Sequence, residues 1–186
     1  MAKVRSRVLV IDASIARAAG DVSMHPTSRG CREFLEAVLE HGHRMAMTGE
    51  IGEEWDRHQS RFARRWRVSM VARKRIEMVE VPSDRTLEKR VARAIADEYL
   101  AAIIDKDRRL IEAALVTERR VSSLDDHVRK HLRDHLSELP EILAIIWVNP
   151  CTPEEKALQW LGAGAPDELA RRLEFGLGRP RRRPRR

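Results

Sequence analysis

The sequence predicts a three-layer α/β domain, a parallel sheet covered on both faces by helices. Two patterns carry this. Five short runs are apolar or β-branched with no regular polar alternation, as strands buried on both faces must be, and the segments between them repeat apolar residues at helical spacing. Strands alternating with helices in this way pair in parallel through crossover connections. The length of 186 residues suits one such domain, about 100–200 residues being ordinary.

Taken in chain order, the first strand is Val8-Leu-Val-Ile11. A helix over residues 28–42 places Phe34, Leu35, Val38 and Leu39 on one face and closes on Gly42, suited to a left-handed C-cap. Met45-Ala-Met47 is the second strand, and the stripe Ile51, Trp55, Phe62, Trp66 is helical after it. Met78-Val-Glu-Val81 is the third, before the stripes Leu87, Val91, Ile95 and Leu110, Ile111, Ala114, Leu115. Val121-Ser-Ser-Leu124 is the fourth, followed by Val128, Leu132, Leu136 and Leu139, and Ala144-Ile-Ile-Trp-Val148 is the fifth. Residues 1–150 thus make the main body. Residues 151–178 read as two short helices broken at Gly162-Ala-Gly-Ala-Pro166, with Thr152 and Glu155 as a capping box, packed on the same domain. Residues 179–186 are six Arg and two Pro; such a tail buries no apolar surface and is expected to be disordered.

The formal net charge is +7, but it belongs to that tail. Without its six Arg, the 36 basic residues fall to 30 against 29 acidic ones, so residues 1–178 together stand near +1. The total therefore says little about what the body binds. A hydrophobic fraction of 42% excludes global disorder. Cys31 and Cys151 stand far apart in no CxxC or zinc-like spacing, so neither a disulfide framework nor a structural zinc site is expected, and the setting reads as reducing and cytoplasmic. The apolar run Val8–Ile11 is shorter than the roughly 7–15 residues of a signal-peptide core. No run reaches the ~18 apolar residues of a membrane span.

In a parallel α/β sheet ligands sit outside the carboxyl ends of the strands, so acids at that edge are the ones to weigh. Asp12 follows the first strand, and Asp125 and Asp126 follow the fourth. Glu50, Glu53 and Glu54 lie in the first turns after the second. Asp107, read as opening the helix DRRLIEAALV that leads into the fourth strand, starts at the same edge. Acids in such places are also favoured as caps and dipole partners; convergence from four separate segments is what points further. Their mutual repulsion would push pKa values up, and a divalent cation removes that penalty. Hard oxygen donors suit Mg²⁺ or Mn²⁺, and phosphodiester hydrolysis by metal-activated water is the matching reaction.

The motifs VLVIDAS (8–14), TGEIGEEW (48–55), KDRRLIEAAL (106–115) and VSSLDDHV (121–128) together resemble the PIN-domain nucleases in order and spacing, over residues 7–150. The resemblance implies a five-stranded parallel sheet flanked by helices and an Mg²⁺- or Mn²⁺-dependent nuclease acting on RNA. It implies that Asp12, Glu54, Asp107 and Asp125 hold the metal and do the catalysis. Ser14 would support an acid or a metal-bound water. Glu50 is the alternative second acid, one helical turn from Glu54, and Asp126 the alternative fourth, although Asp125 stands two residues after Ser123 as the pattern wants. The family also admits a homodimer or an antitoxin-like protein partner. The chain exceeds the small toxins of toxin–antitoxin pairs in length, which argues against a toxin.

Arg57, Arg61, Arg64, Arg65, Arg67, Arg73, Lys74 and Arg75 form a run without an acid, a local cationic surface fit for an RNA phosphate backbone; the plain alternative is a solvated helix face. Phe62 and Trp66 lie among these charges, but their register with Ile51 and Trp55 favours core packing over base stacking. His127, His131 and His135 repeat every four residues, yet imidazole is the wrong ligand for Mg²⁺, and they read as a helix flank. Two rival readings stand beside the nuclease. One is a catalytically silent PIN-like scaffold binding RNA or protein, which has no need of four repelling acids. The other is another α/β phosphate hydrolase with an Asp after strand one; there the second acid of DxD is replaced by Ser14, and no GxxxxGK[ST] or GxGxxG loop occurs.

Overall fold

A computed structural model describes residues 5–20, 25–82, 89–90, 98–135 and 139–175, apart from the side chains of residues 98–106 and 135. The expected stripe Leu87, Val91, Ile95, the stripe position Leu136 and the 179–186 tail lie outside the described residues. The chain is an α/β domain whose five strands form one parallel sheet flanked by helices, a three-layer α/β/α sandwich. Its elements are β1 (Val8–Ile11), α1 (Ala13–Ala18), α2 (Pro26–Glu40), β2 (Arg44–Met47), α3 (Gly49–His58), α4 (Arg61–Ala72), β3 (Ile76–Met78), α5 (Glu98–Leu115), β4 (Arg120–Ser122), α6 (Asp126–His135), α7 (Pro140–Leu143), β5 (Ile146–Val148) and α8 (Ala157–Gly162).

The strand order is β3-β2-β1-β4-β5. The chain builds outward from β1 through β2 and β3, then returns to build β4 and β5 on the other side. The order reverses between β1 and β4, where Val10 pairs with Val121 and Ile11 with Ser122. That switch point is where an open parallel sheet leaves a crevice outside its carboxyl ends. β1 and β5 are buried at every residue, consistent with an unbroken apolar run under helices on both faces. α5 packs on β1 and β4, and α2 packs against α1, α4 and α8.

Four local readings change. β3 spans Ile76–Met78, ahead of the expected Met78–Val81: it is an edge strand, Met78 is 67% exposed, and partial burial leaves no sharp apolar run to mark it. The Ile51–Trp66 stripe is two helices, because Gln59 is extended and Ser60 caps α4 by accepting from the Ala63 amide at 3.1 Å. The stripe is nonetheless one apolar surface: Trp55 and Trp66 stack with centroids 5.8 Å apart, and both are buried. α5 begins at Glu98, so Asp107 lies in its interior and does not open it. The Thr152/Glu155 capping box does not form either: Thr152 makes no side-chain cap bond, and Glu155, 1% exposed, pairs with Arg129 and accepts from the Asn149 amide at 3.0 Å.

The segment after Pro150 is tied to the sheet. Leu173 donates its amide to Ile145 at 2.9 Å, Arg172 bridges to Ile146, and buried Arg120 of β4 donates to the Ala165 carbonyl at 2.8 Å. His43, fully buried, accepts from the Arg7 amide at Nδ1 (3.1 Å) and meets the Leu161 carbonyl through Nε2 (3.0 Å). Both bonds are made only by the neutral ring with its proton on Nε2.

Candidate carboxylate site

Asp12 leaves β1 with extended backbone at the head of α1 and makes no side-chain cap bond, so its carboxylate is free for other partners. It is 6% exposed, and a buried carboxylate must find donors. Ser14 Oγ donates to its Oδ2 at 2.5 Å, and Ser123 Oγ donates to the same oxygen at 2.8 Å. Each hydroxyl also accepts: Ser14 from the Leu124 amide at 3.3 Å, Ser123 from the Asp125 amide at 3.1 Å. The Asp-x-Ser of β1 and the Ser-x-Asp of β4 are therefore laced together across the switch point. Asp125 caps α6, its Oδ1 accepting from the Val128 amide at 2.9 Å.

α3 brings the second acid. Thr48 caps it by accepting from the Ile51 amide at 3.2 Å, and Trp55 anchors it by donating Nε1 to the Ile11 carbonyl, 2.9 Å away in β1. Glu54, beside that anchor, is ion-paired with Arg109 of α5. Asp107, two residues before Arg109, completes the set. Its carboxyl is pushed up to about 7, first by burial, then by Asp12 and Asp125 and to a smaller extent by Glu54, with Arg109 pulling the other way. The charges acting on Asp107 come from three other segments of the chain, so four segments bring acids into one field.

The alternatives stand in different surroundings. Glu54 acts on Asp107; Glu50 is exposed and lines a neighbouring cleft. Asp125 acts on Asp107 while Asp126, exposed, accepts from Asn149 Nδ2 at 2.8 Å. Glu53 is exposed on α3. Among the described residues no group of three or more His, Cys, Asp or Glu converges closely enough to hold a metal ion as the side chains stand. The donor chemistry, hard oxygens alone, fits Mg²⁺ or Mn²⁺. The present arrangement is a repulsive set whose members lean on protein partners: Asp12 on two hydroxyls, Asp125 on an amide, Glu54 on a guanidinium.

Beside the acids opens a cleft of about 520 Å³, lined by Thr48, Gly49, Glu50, Val79–Pro82, Arg108, Arg109 and Glu112. Its cations were not singled out in the sequence. Arg108 and Arg109 directly follow Asp107, and at one and two positions along a helix spacing gives no sign that they share its site. The expected cationic run is spread over α3, α4 and the turn into β3. Arg73, Lys74 and Arg75 precede β3 and so lie at the amino edge of the sheet, across it from Asp12. Arg75 donates to the Leu39 carbonyl and Arg67 pairs with Asp56. Arg57, Arg61, Arg64 and Arg65 are exposed. Phe62 is partly buried with the Arg32 guanidinium 4.7 Å over its ring. His127 is exposed and His131 half-buried on α6, beside the buried Val128 and Leu132.

The fold and site together define a class: a parallel α/β domain with a hydroxyl-laced carboxylate field at its switch point. No family model, curated protein or solved structure matches the chain.

Proposed function

We propose that the chain is a PIN-like, Mg²⁺- or Mn²⁺-dependent ribonuclease of the cytoplasm. The observation that carries this reading is the switch-point geometry, Asp12 held by Ser14 and Ser123 with Asp125 bound to Ser123, and the Asp107 carboxyl beside it pushed up to about 7 by burial and by Asp12, Asp125 and Glu54. Assembling like charges at a ligand crevice lowers stability and calls for a compensating cation. A divalent ion bound there would supply Lewis acidity toward a phosphoryl oxygen and lower the pKa of a coordinated water. The chain's own residues do the rest. Ser14 and Ser123 fix Asp12 in orientation, and the Asp125 amide bond to Ser123 fixes the fourth acid relative to the first. Arg108 and Arg109, lining the adjacent cleft, neutralise an entering phosphate backbone.

The test is cleavage of a labelled single-stranded RNA with Mn²⁺. Wild type cleaves and Asp12→Asn falls to background; equal activity in the two removes the site assignment. A second reading, a silent scaffold of the same architecture, is favoured by one observation, the Glu54–Arg109 ion pair that already neutralises one acid. A thermal melt separates them: Mn²⁺ stabilises the nuclease and leaves the scaffold unmoved.

A further inference from the structure

Away from the carboxylates, the fold brings together the chain's only two sulfur nucleophiles. Cys31, in α2, is fully buried, and Cys151, in the turn after β5, is half-buried. Both are free thiols, and their Sγ atoms lie 3.6 Å apart although 120 residues separate them. The approach is tight, since a Cβ at position 30 would stand 3.3 Å from Cys151 Sγ; Gly30 is what lets the turn close on the helix. Cys151 is held from the other side as well, its amide donating to Asn149 Oδ1 at 2.9 Å and its thiol to the Thr27 carbonyl at 3.5 Å.

We infer that Cys31 and Cys151 are a redox modification site, closing a reversible intrachain disulfide when the protein meets hydrogen peroxide. The sulfurs need to approach by about 1.5 Å to reach bonding distance, a local adjustment of one turn. Cys151 attacks first: it is the more exposed, and the hydrogen bond from Cys31 holds its pKa below the ordinary thiol range. Cys31 is the resolving partner, its thiol pushed up by that bond and by burial. The Thr27 carbonyl works against ionisation of Cys151, which slows the attack without changing its order.

The step balances. Cys151 gives its proton to solvent, and its sulfur attacks one peroxide oxygen. The O–O bond breaks, Cys151 becomes a sulfenic acid, and the departing hydroxide takes up a proton as water. Cys31 sulfur then attacks Cys151 sulfur; the S–S bond forms, the S–O bond breaks, and the hydroxyl leaves with the Cys31 proton as a second water. Two thiols lose two electrons, and the peroxide gains them. The product staples α2 to the turn after β5 across a long loop, and cross-links of long loops stabilise most. None of this depends on the nuclease reading.

The experiment uses the full chain, reduced with dithiothreitol, desalted and treated with one equivalent of hydrogen peroxide. Peptide mapping by mass spectrometry should find the Cys31 and Cys151 peptides joined in the monomer, two hydrogens lighter than their sum and separated again by dithiothreitol. Tm should rise by about 5–10 °C. Cys31→Ser should leave a sulfenic acid on Cys151 that dimedone traps, and Cys151→Ser should leave Cys31 unmodified. Two thiols still titratable after peroxide, cross-links only between molecules, or separate over-oxidation of each cysteine overturns the inference. The mapping of the wild-type chain decides the matter even where a serine variant fails to fold.

Discussion

Asp107 keeps its proton to about pH 7 because burial and three carboxylates act on it together. A carboxyl whose folded pKa lies above the ordinary 3.8 favours the folded state most below about pH 4. Its contribution declines as pH rises to 7 and is gone above that. Asp107→Asn removes the charge and keeps the shape. The variant should therefore melt higher than wild type at pH 8, by an amount on the order of 2–4 kcal/mol, with the difference shrinking to nothing near pH 4. Melts recorded across that range check it, and a pH-independent difference would falsify the shared field. Arg109 opposes the shift and pairs with Glu54. Arg109→Ala should raise the Asp107 midpoint further, readable by NMR of the carboxyl carbon, and, on the proposed nuclease reading, weaken RNA binding by about tenfold through loss of a cleft cation.

At the scale of elements, two buried polar knots fasten the C-terminal segment to the sheet. Glu155 and Arg129, 1% and 9% exposed at their side chains, form a pair in which burial raises the Glu155 pKa and Arg129 offsets it. Glu155→Ala leaves buried Arg129 with only the longer contact to Asp126 at 3.8 Å, which should cost about 3–5 kcal/mol in urea denaturation; a loss under 1 kcal/mol would show that Asp126 takes over the pairing. His43 joins the Arg7 amide to the Leu161 carbonyl, and burial lowers its pKa. A base with a depressed folded pKa lends stability that is present above the ordinary value of about 6.5 and lost as pH falls. An imidazole titration followed by NMR should put the His43 midpoint below that value. These knots also show why parts of the fold were legible and parts were not. β1 and β5 announce themselves because every residue is buried. β3 does not, lying at an edge with Met78 in solvent. Asp107 reads as a helix start, yet α5 runs from Glu98, since a helix interior tolerates charges such as Arg108 and Arg109 that line a cleft. Glu155 looked like a cap because spacing shows a motif and not the ion that takes it up.

For the whole molecule, the strand order decides what meets. The β1–β4 pairing puts Asp12 beside Ser123, and acids read as strand-end residues needed only the switch point to become neighbours. Contacts with no local pattern stayed hidden: Cys31 with Cys151, and Glu54 with Arg109, are made by topology across the sheet. The charge distribution is the other global property. Residues 1–178, together near +1, set a carboxylate field at the sheet's carboxyl edge against cations spread over α4 and the amino edge of β3, while six Arg stand in the last eight residues. Phosphate contacts made by such a tail are electrostatic and sequence-independent, and each adds about −0.7 to the slope of log K against log salt for a single strand. Deleting residues 179–186 should therefore flatten the salt dependence of RNA binding by up to about 4 in slope, with the single-turnover cleavage rate at saturating RNA unchanged. Binding measured from 50 to 300 mM salt, with cleavage assayed alongside, checks both halves. A cleavage rate that falls with the tail would place those arginines at the reacting phosphate and move part of the site away from the switch point.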